Sequence, residues 1–155
     1  MNTIEKTSVI LFFVDGVGIG ERNEFNPLSL TEKLEPLNNF VKQEQPIFGD
    51  GILVPTDVRL GVKGRPQSAS GQTSIYTGVN AAQHLGKHKH GFPNEKLIEL
   101  INERSIFLKL QQLGVEPNVF ANVYTPNFFE KKQRWKSATT CSVEAAGIRF
   151  WRIPD

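Results

Sequence analysis

A chain of 155 residues with 39% hydrophobic and 22% charged side chains has the length and composition of one globular domain, since a chain of this size removes roughly two-thirds of its unfolded surface from water. The single cysteine, Cys141, excludes an internal disulfide framework and zinc centres built on several thiolates, so any metal must be held mainly by oxygen and imidazole. The net charge of +2 divides unevenly, with nine Asp/Glu against five Lys/Arg in residues 1–60 and seven against thirteen in residues 61–155, regional charges of −4 and +6.

No acid lies between Asp57 and Glu95, a window that holds Arg59, Lys63, Arg65, Lys87, Lys89 and all three histidines, His84, His88 and His90. Such a window suits a small anionic metabolite, although a solvated basic face has the same composition. Nucleic acid is a poorer fit, because the bases are not interleaved with aromatics and no zinc-finger or RNA-recognition signature is present. The longest apolar run, residues 9–14, is about a third of a membrane span, and its weakly basic flank and lack of a cleavage site do not make a signal peptide. The expectation is therefore a cytoplasmic protein with no membrane partner, its oligomeric state open.

In chain order, Val9 to Val14 reads as a strand buried on both faces of a parallel sheet, bounded by Ser8 and Asp15-Gly16. A flexible turn over Gly16 to Gly20 follows, then a polar loop from Glu21 to Pro36 with a short helix near Leu28 to Leu34. Ile52 to Val62 is strand-like but interrupted by Pro55. A Gly/Pro/Ser-rich loop runs from Gly61 to Gly71, and Gln72 to Thr77 begins a helix. Asn94 or Pro93 starts another helix with Leu97, Ile98 and Ile101 on one face; Ser105 caps its continuation through Leu113, and Gly114 stops it. Val119 to Tyr124 is a second buried-strand candidate. A turn and helix follow over Pro126 to Trp135, then a helix from Thr140 to Ala146 stopped by Gly147. This order predicts an α/β fold, a mostly parallel sheet flanked by helices.

Three segments carry candidate chemistry. Asp15-Gly16 ends the first strand, where open α/β sheets gather ligands, so Asp15 is placed to bind a metal or to cap its own turn. A dinucleotide loop fails there, because Glu21 stands where the third glycine is required. Gln67-Ser68-Ala69-Ser70-Gly71-Gln72-Thr73 packs hydroxyls and amides before a helix start, where free N–H groups favour a phosphate or alkoxide, or where a hydroxyl simply caps. A hydrolase elbow does not fit, since Pro66 and Ser70 occupy its glycine positions around Ser68. Gly86-Lys87-His88-Lys89-His90-Gly91-Phe92-Pro93 is a basic loop suited to anion contact, to metal binding if suitably bent, or to solvent; a Walker A loop fails because His88 follows Lys87.

In this order the segments resemble the N-terminal part of metalloenzymes of the alkaline-phosphatase superfamily, which includes cofactor-independent phosphoglycerate mutase and phosphopentomutase. The likeness rests on Asp15-Gly16-Val17-Gly18, on Ser68-Ala69-Ser70-Gly71-Gln72 leading into Thr77-Gly78, and on Gly86-x-His88-x-x-Gly91-Phe92-Pro93. An uncharacterised branch is most similar, through Asn122-x-Tyr124-x-Pro126-x-Phe128-Phe129 and Ser137-Ala138-Thr139-Thr140. The resemblance implies that residues 1–155 are the N-terminal part of a single alkaline-phosphatase-like domain, incomplete as it stands. It makes Asp15 a ligand of one of two divalent ions (Zn, Mn or Mg), and Ser68 both a metal contact and the nucleophile of a phosphotransferase or phosphohydrolase. Ser68 is chosen because the mutases place their hydroxyl three residues before a Gly-His pair; here Gly71 is followed by Gln72, and Ser70 and Thr73 remain alternatives. Arg65, Lys87 and His88 are expected to steady the substrate anion, a role inferred from charge and closeness in sequence.

The superfamily draws most metal ligands from a later Asp-x-x-x-His stretch, yet this chain has no Asp between Asp57 and Asp155 and no His after His90. The expectation is a chain that alone binds metal weakly and turns over little phosphate ester. A non-catalytic anion-binding α/β module is the alternative.

Overall fold

A computed structural model describes residues 8–31, 40, 51, 54–130 and 135–153. The chain divides into two compact units, Met1–Thr56 and Asp57–Asp155.

In the first unit, residues 8–14 form no regular element and are exposed, not a buried strand. Val9 is 88% and Ile10 91% exposed, and Phe12 and Val14 are exposed too. Burial on both faces needs neighbouring strands, and among the described residues none pairs with this run; the bridge described in this unit joins Gly20 to Phe40. Asp15 and Gly16 form the turn after it, Gly16 at φ 77°, a conformation that spares glycine the Cβ clash other residues meet. Beyond the turn, asparagines organise the chain. Asn26 caps a single 3-10 turn, Pro27–Leu30, by accepting the Leu28 N–H at 3.1 Å, and donates to the Glu21 carbonyl at 2.9 Å. That turn begins one residue before the expected helix, whose later part lies outside the described residues. Phe40 is buried, with the Arg22 guanidinium 4.4 Å from its ring centroid.

The second unit is mainly helical: α1 (Ser68–Thr77), α2 (Ala81–Leu85), α3 (Glu95–Arg104), α4 (Ile106–Gln112), α5 (Pro126–Glu130) and α6 (Ala138–Ala145). Among its described residues the sheet is one short parallel pair, β1 (Val123–Tyr124) against β2 (Trp151–Arg152). The α/β class therefore holds only loosely, as helices with a small parallel sheet rather than a sheet flanked by helices. Residues 54–62 contain turns and no strand, with Ile52 outside the described set. Of the second expected strand only Val123–Tyr124 is regular, and Val119 is exposed.

Local chemistry explains the helices. Asn94 accepts the Leu97 N–H at 3.3 Å and starts α3, with Glu95 in its first turn and Arg104 in its last, each complementing the helix dipole. Leu97, Leu100 and Ile101, at the i, i+3, i+4 spacing, form its buried face. Ser105 closes α3 and caps α4, while Gly114 and Gly147 follow α4 and α6 at φ 69° and 63°.

The core lies where α1, α2, α3 and α6 meet. Ala69 and Ala81 pack against Leu97 and Leu100, and Tyr76 and Ile101 against Ala138 and Cys141. Alanine and small hydroxyl residues at these contacts allow close approach of the helices. A second apolar nucleus surrounds β1, where Tyr124 lies 4.0 Å from Phe128 and 5.7 Å edge-on from Phe150, centroid to centroid. The Arg152 guanidinium lies 4.0 Å from the centroid of Phe129.

Truncating the α3 face should be costly and truncating residues 9–14 should not. Leu97→Ala is expected to lower unfolding free energy by about 3 kcal/mol, whereas Val9→Ser should change it by less than about 0.5 kcal/mol, both read from urea denaturation. A large loss for Val9→Ser would show that this run is buried.

Candidate functional site

Helix α1 begins at Ser68, four residues before the start at Gln72 expected from the sequence, and this sets where each hydroxyl of the segment lies. Ser68 is its first residue and is half-buried. Gln67 precedes it at the cap position in extended conformation, and its side chain makes no capping bond. A helix N-terminus leaves its first amides without intrahelical acceptors, and the helix dipole favours negative charge there.

The alternative nucleophiles are committed to structure. Ser70 is fully buried; its hydroxyl donates to the Gln67 carbonyl at 3.3 Å and accepts the Lys89 N–H at 3.1 Å. The Ser70 N–H reaches the Lys89 carbonyl at 3.4 Å. Thr73, also fully buried, donates to the Ala69 carbonyl at 2.7 Å. Each polar group is satisfied inside the protein, where an unmade bond would cost about 1–3 kcal/mol.

The two Ser70–Lys89 bonds draw the basic loop to the first turn of α1. Lys87 in that loop is exposed and His88 half-buried. His88 Nε2 lies 3.2 Å from the Val62 carbonyl. A carbonyl only accepts, so Nε2 carries the proton and Nδ1 is the nitrogen with a lone pair in the neutral ring. Arg65, exposed, lies on the stretch between Val62 and Ser68. The second unit thus joins the segments carrying Ser68, Arg65, Lys87 and His88 through backbone-anchored bonds, while Asp15 belongs to the first unit.

Among the described residues, no three His, Cys, Asp or Glu side chains cluster so as to hold a metal ion. Asp15 and Ser68 are fewer donors than a divalent centre uses, so the described residues do not by themselves fit a two-ion site. No described helix is long and apolar enough to cross a membrane.

A groove of about 860 Å³ lies elsewhere in the second unit, between the start of α3 and α6, and none of the expected site residues lines it. Phe92 and Trp135 stack across 6.1 Å at its wall, and Lys136 pairs with Glu144 at 2.7 Å. Cys141 also contributes to the lining. Its thiol is pushed above the ordinary value by burial and then by the Glu144 carboxylate, partly offset by Lys136.

Asn80 and Ser74 lie outside the three candidate segments and also organise this region. Asn80 caps α2 through the Gln83 N–H at 2.9 Å and donates to the Leu60 carbonyl at 2.7 Å. Ser74 accepts the Ala81 N–H at 3.0 Å. An asparagine directly before Ala81-Ala82 is a legible cap signal, but the Leu60 contact, twenty residues away in sequence, is not. No protein-family model, curated protein or solved structure matches the chain.

The Cys141 shift has a definite sign. A raised folded value stabilises the protein fully below the unfolded thiol's pKa, and that contribution is lost as pH rises through the folded value. Native Cys141 should therefore react with a disulfide reagent more slowly than the urea-unfolded chain in mildly alkaline buffer, and stability should fall as pH passes the ordinary thiol range. Equal labelling rates would contradict the buried environment.

Proposed function

We propose that this chain carries the nucleophile and anion-recognition part of a metal-dependent phosphotransferase or phosphohydrolase of the alkaline-phosphatase type, acting on a small phosphorylated metabolite. The observation that carries this reading is the position of Ser68 as the first residue of α1, with the basic loop tied to the same turn through Ser70 and Lys89. A hydroxyl there lies beside helix amides that favour a developing negative charge.

In the proposed reaction Ser68 Oγ attacks phosphorus, the P–O bond to the leaving group breaks, and the serine proton is lost to solvent. Water or a second hydroxyl then takes the phosphoryl group. Arg65 and Lys87 hold the equatorial oxygens, and the segment bearing His88 keeps Lys87 beside α1. Divalent Zn, Mn or Mg would supply charge neutralisation and lower the hydroxyl pKa; in the second unit Ser68 is the side chain proposed to contact it, and Asp15, in the first unit, is separately proposed as a metal ligand. Because such a centre takes more donors than these two, weak metal binding and little turnover are expected of this chain alone.

A metal-free anion-binding module is the second reading, favoured by cations that enter no ion pair among the described residues. Among the described residues the ion pair is Lys136–Glu144, and none involves Arg65 or Lys87.

Two measurements separate the readings. Titration calorimetry with Mn should give weak heat in the wild type and none in Asp15→Asn, whereas the module predicts no metal heat in either. Incubation with an aryl phosphate and Mn should leave substoichiometric phosphoserine at Ser68 by mass spectrometry, absent in Ser68→Ala. Phosphorylation at another residue, or none at all, overturns the nucleophile assignment. Robust multiple turnover abolished by Ser68→Ala would overturn the expected lack of activity.

A further inference from the structure

The loop 57–65 lies in the acid-free basic window, and it is fastened to the basic loop and to α2. The Leu60 and Val62 N–H groups reach the Asp57 and Arg59 carbonyls at 3.1 and 2.9 Å, folding the loop into two successive turns. Their own carbonyls face the other way, Leu60 to Asn80 at 2.7 Å and Val62 to His88 Nε2 at 3.2 Å. Leu60 has φ 54°, a conformation that a leucine adopts only where its surroundings hold it. At Gly64 a Cβ would lie 3.6 Å from His88 Cδ2, so the imidazole also packs along this turn.

The loop so held carries three cations, Arg59, Lys63 and Arg65, against one acid. That acid, Asp57, accepts the Arg59 backbone N–H at 2.9 Å through its carboxylate. No described ion pair involves any of the three. On its far side, the residue after His88 exchanges two bonds with Ser70 in the first turn of α1. His88 therefore links the cationic loop to the turn that begins with Ser68. The Lys89 ammonium is turned to the His90 carbonyl at 3.0 Å, and among the described residues Lys87 enters no ion pair.

We propose that loop 57–65 forms a second wall of the anion site at the start of α1, taking a phosphate-type dianion, and that His88 is its positioning residue through the Val62 carbonyl rather than a ligand of the anion. This rests on the reading of that turn as a phosphate site and extends it to Arg59 and Lys63. Because the carbonyl accepts from Nε2 whether the ring is neutral or protonated, the link does not depend on the charge of His88.

Calorimetric titration of the intact chain with inorganic phosphate at low ionic strength, paired with amide hydrogen exchange at Leu60 and Val62, tests the proposal. His88→Phe, which fills the space without a donor, should weaken phosphate binding by about fivefold or more, as loss of one hydrogen bond implies, and should speed exchange in the loop. His88→Gln, whose amide can still donate to Val62, should stay within about twofold of wild type with the loop protected. Arg59→Ala, Lys63→Ala and Arg65→Ala should weaken binding without changing exchange. The proposal is overturned if His88→Phe loosens the loop yet binds phosphate like wild type, or if all three alanine variants do. It is also overturned if His88→Gln binds as weakly as His88→Phe with the loop still protected, because the imidazole would then contact the anion itself. Absence of phosphate binding in the wild type would instead sink the underlying reading of the α1 turn.

Discussion

The second unit depends on how α1 satisfies its own hydroxyl groups. The helix is almost wholly polar or small, contains no charged residue, and packs against α2, α3 and α6. Every hydroxyl that enters this contact must find a partner inside the protein, because burying one unpaired costs more than an ordinary hydrogen bond contributes. The helix does this by folding its side chains back one turn. Thr73, Ser74 and Thr77 donate to the carbonyls of Ala69, Ser70 and Thr73 at 2.7, 2.9 and 2.7 Å. The Thr77 carbonyl in turn accepts from the Lys109 ammonium at 2.6 Å, a cation placed at the negative end of the helix dipole.

The same requirement shapes the candidate site. Ser74 accepts the first amide of α2 and Ser70 accepts the Lys89 amide, so segments that follow α1 are hung from its hydroxyls. Ser70 and Thr73 lie within the packing, while Ser68, half-buried, stands at the helix start. Chemistry and architecture thus draw on one short stretch of sequence, with neighbouring serines assigned to different work by their place on the helix.

Several features were legible without coordinates. The caps Asn94 and Ser105, the stops Gly114 and Gly147, and the apolar face of α3 follow from side-chain chemistry acting within a few residues, and the structure keeps them. The strands were not. Residues 9–14 have the composition of a buried strand, but composition states only what a segment would do if partners covered it. In the described residues its side chains are largely exposed. The start of α1 was misread for a related reason. Ser68-Ala69-Ser70-Gly71 looks like loop by propensity, and its helical form is supported by bonds to Lys89, nineteen residues from Ser70.

By itself, the sequence determined the acid-free basic window, the missing thiolates, the later shortage of Asp and His, and the helix boundaries that short-range capping specifies. These are matters of composition or of contacts within one turn. Only the tertiary structure decided that Ser68 begins a helix, that Ser70 is buried and tied to Lys89, and that His88 reaches the Val62 carbonyl across twenty-six residues. Each of those outcomes depends on a buried polar group finding a distant partner, and residue spacing along a chain carries no record of which distant partner folding will bring.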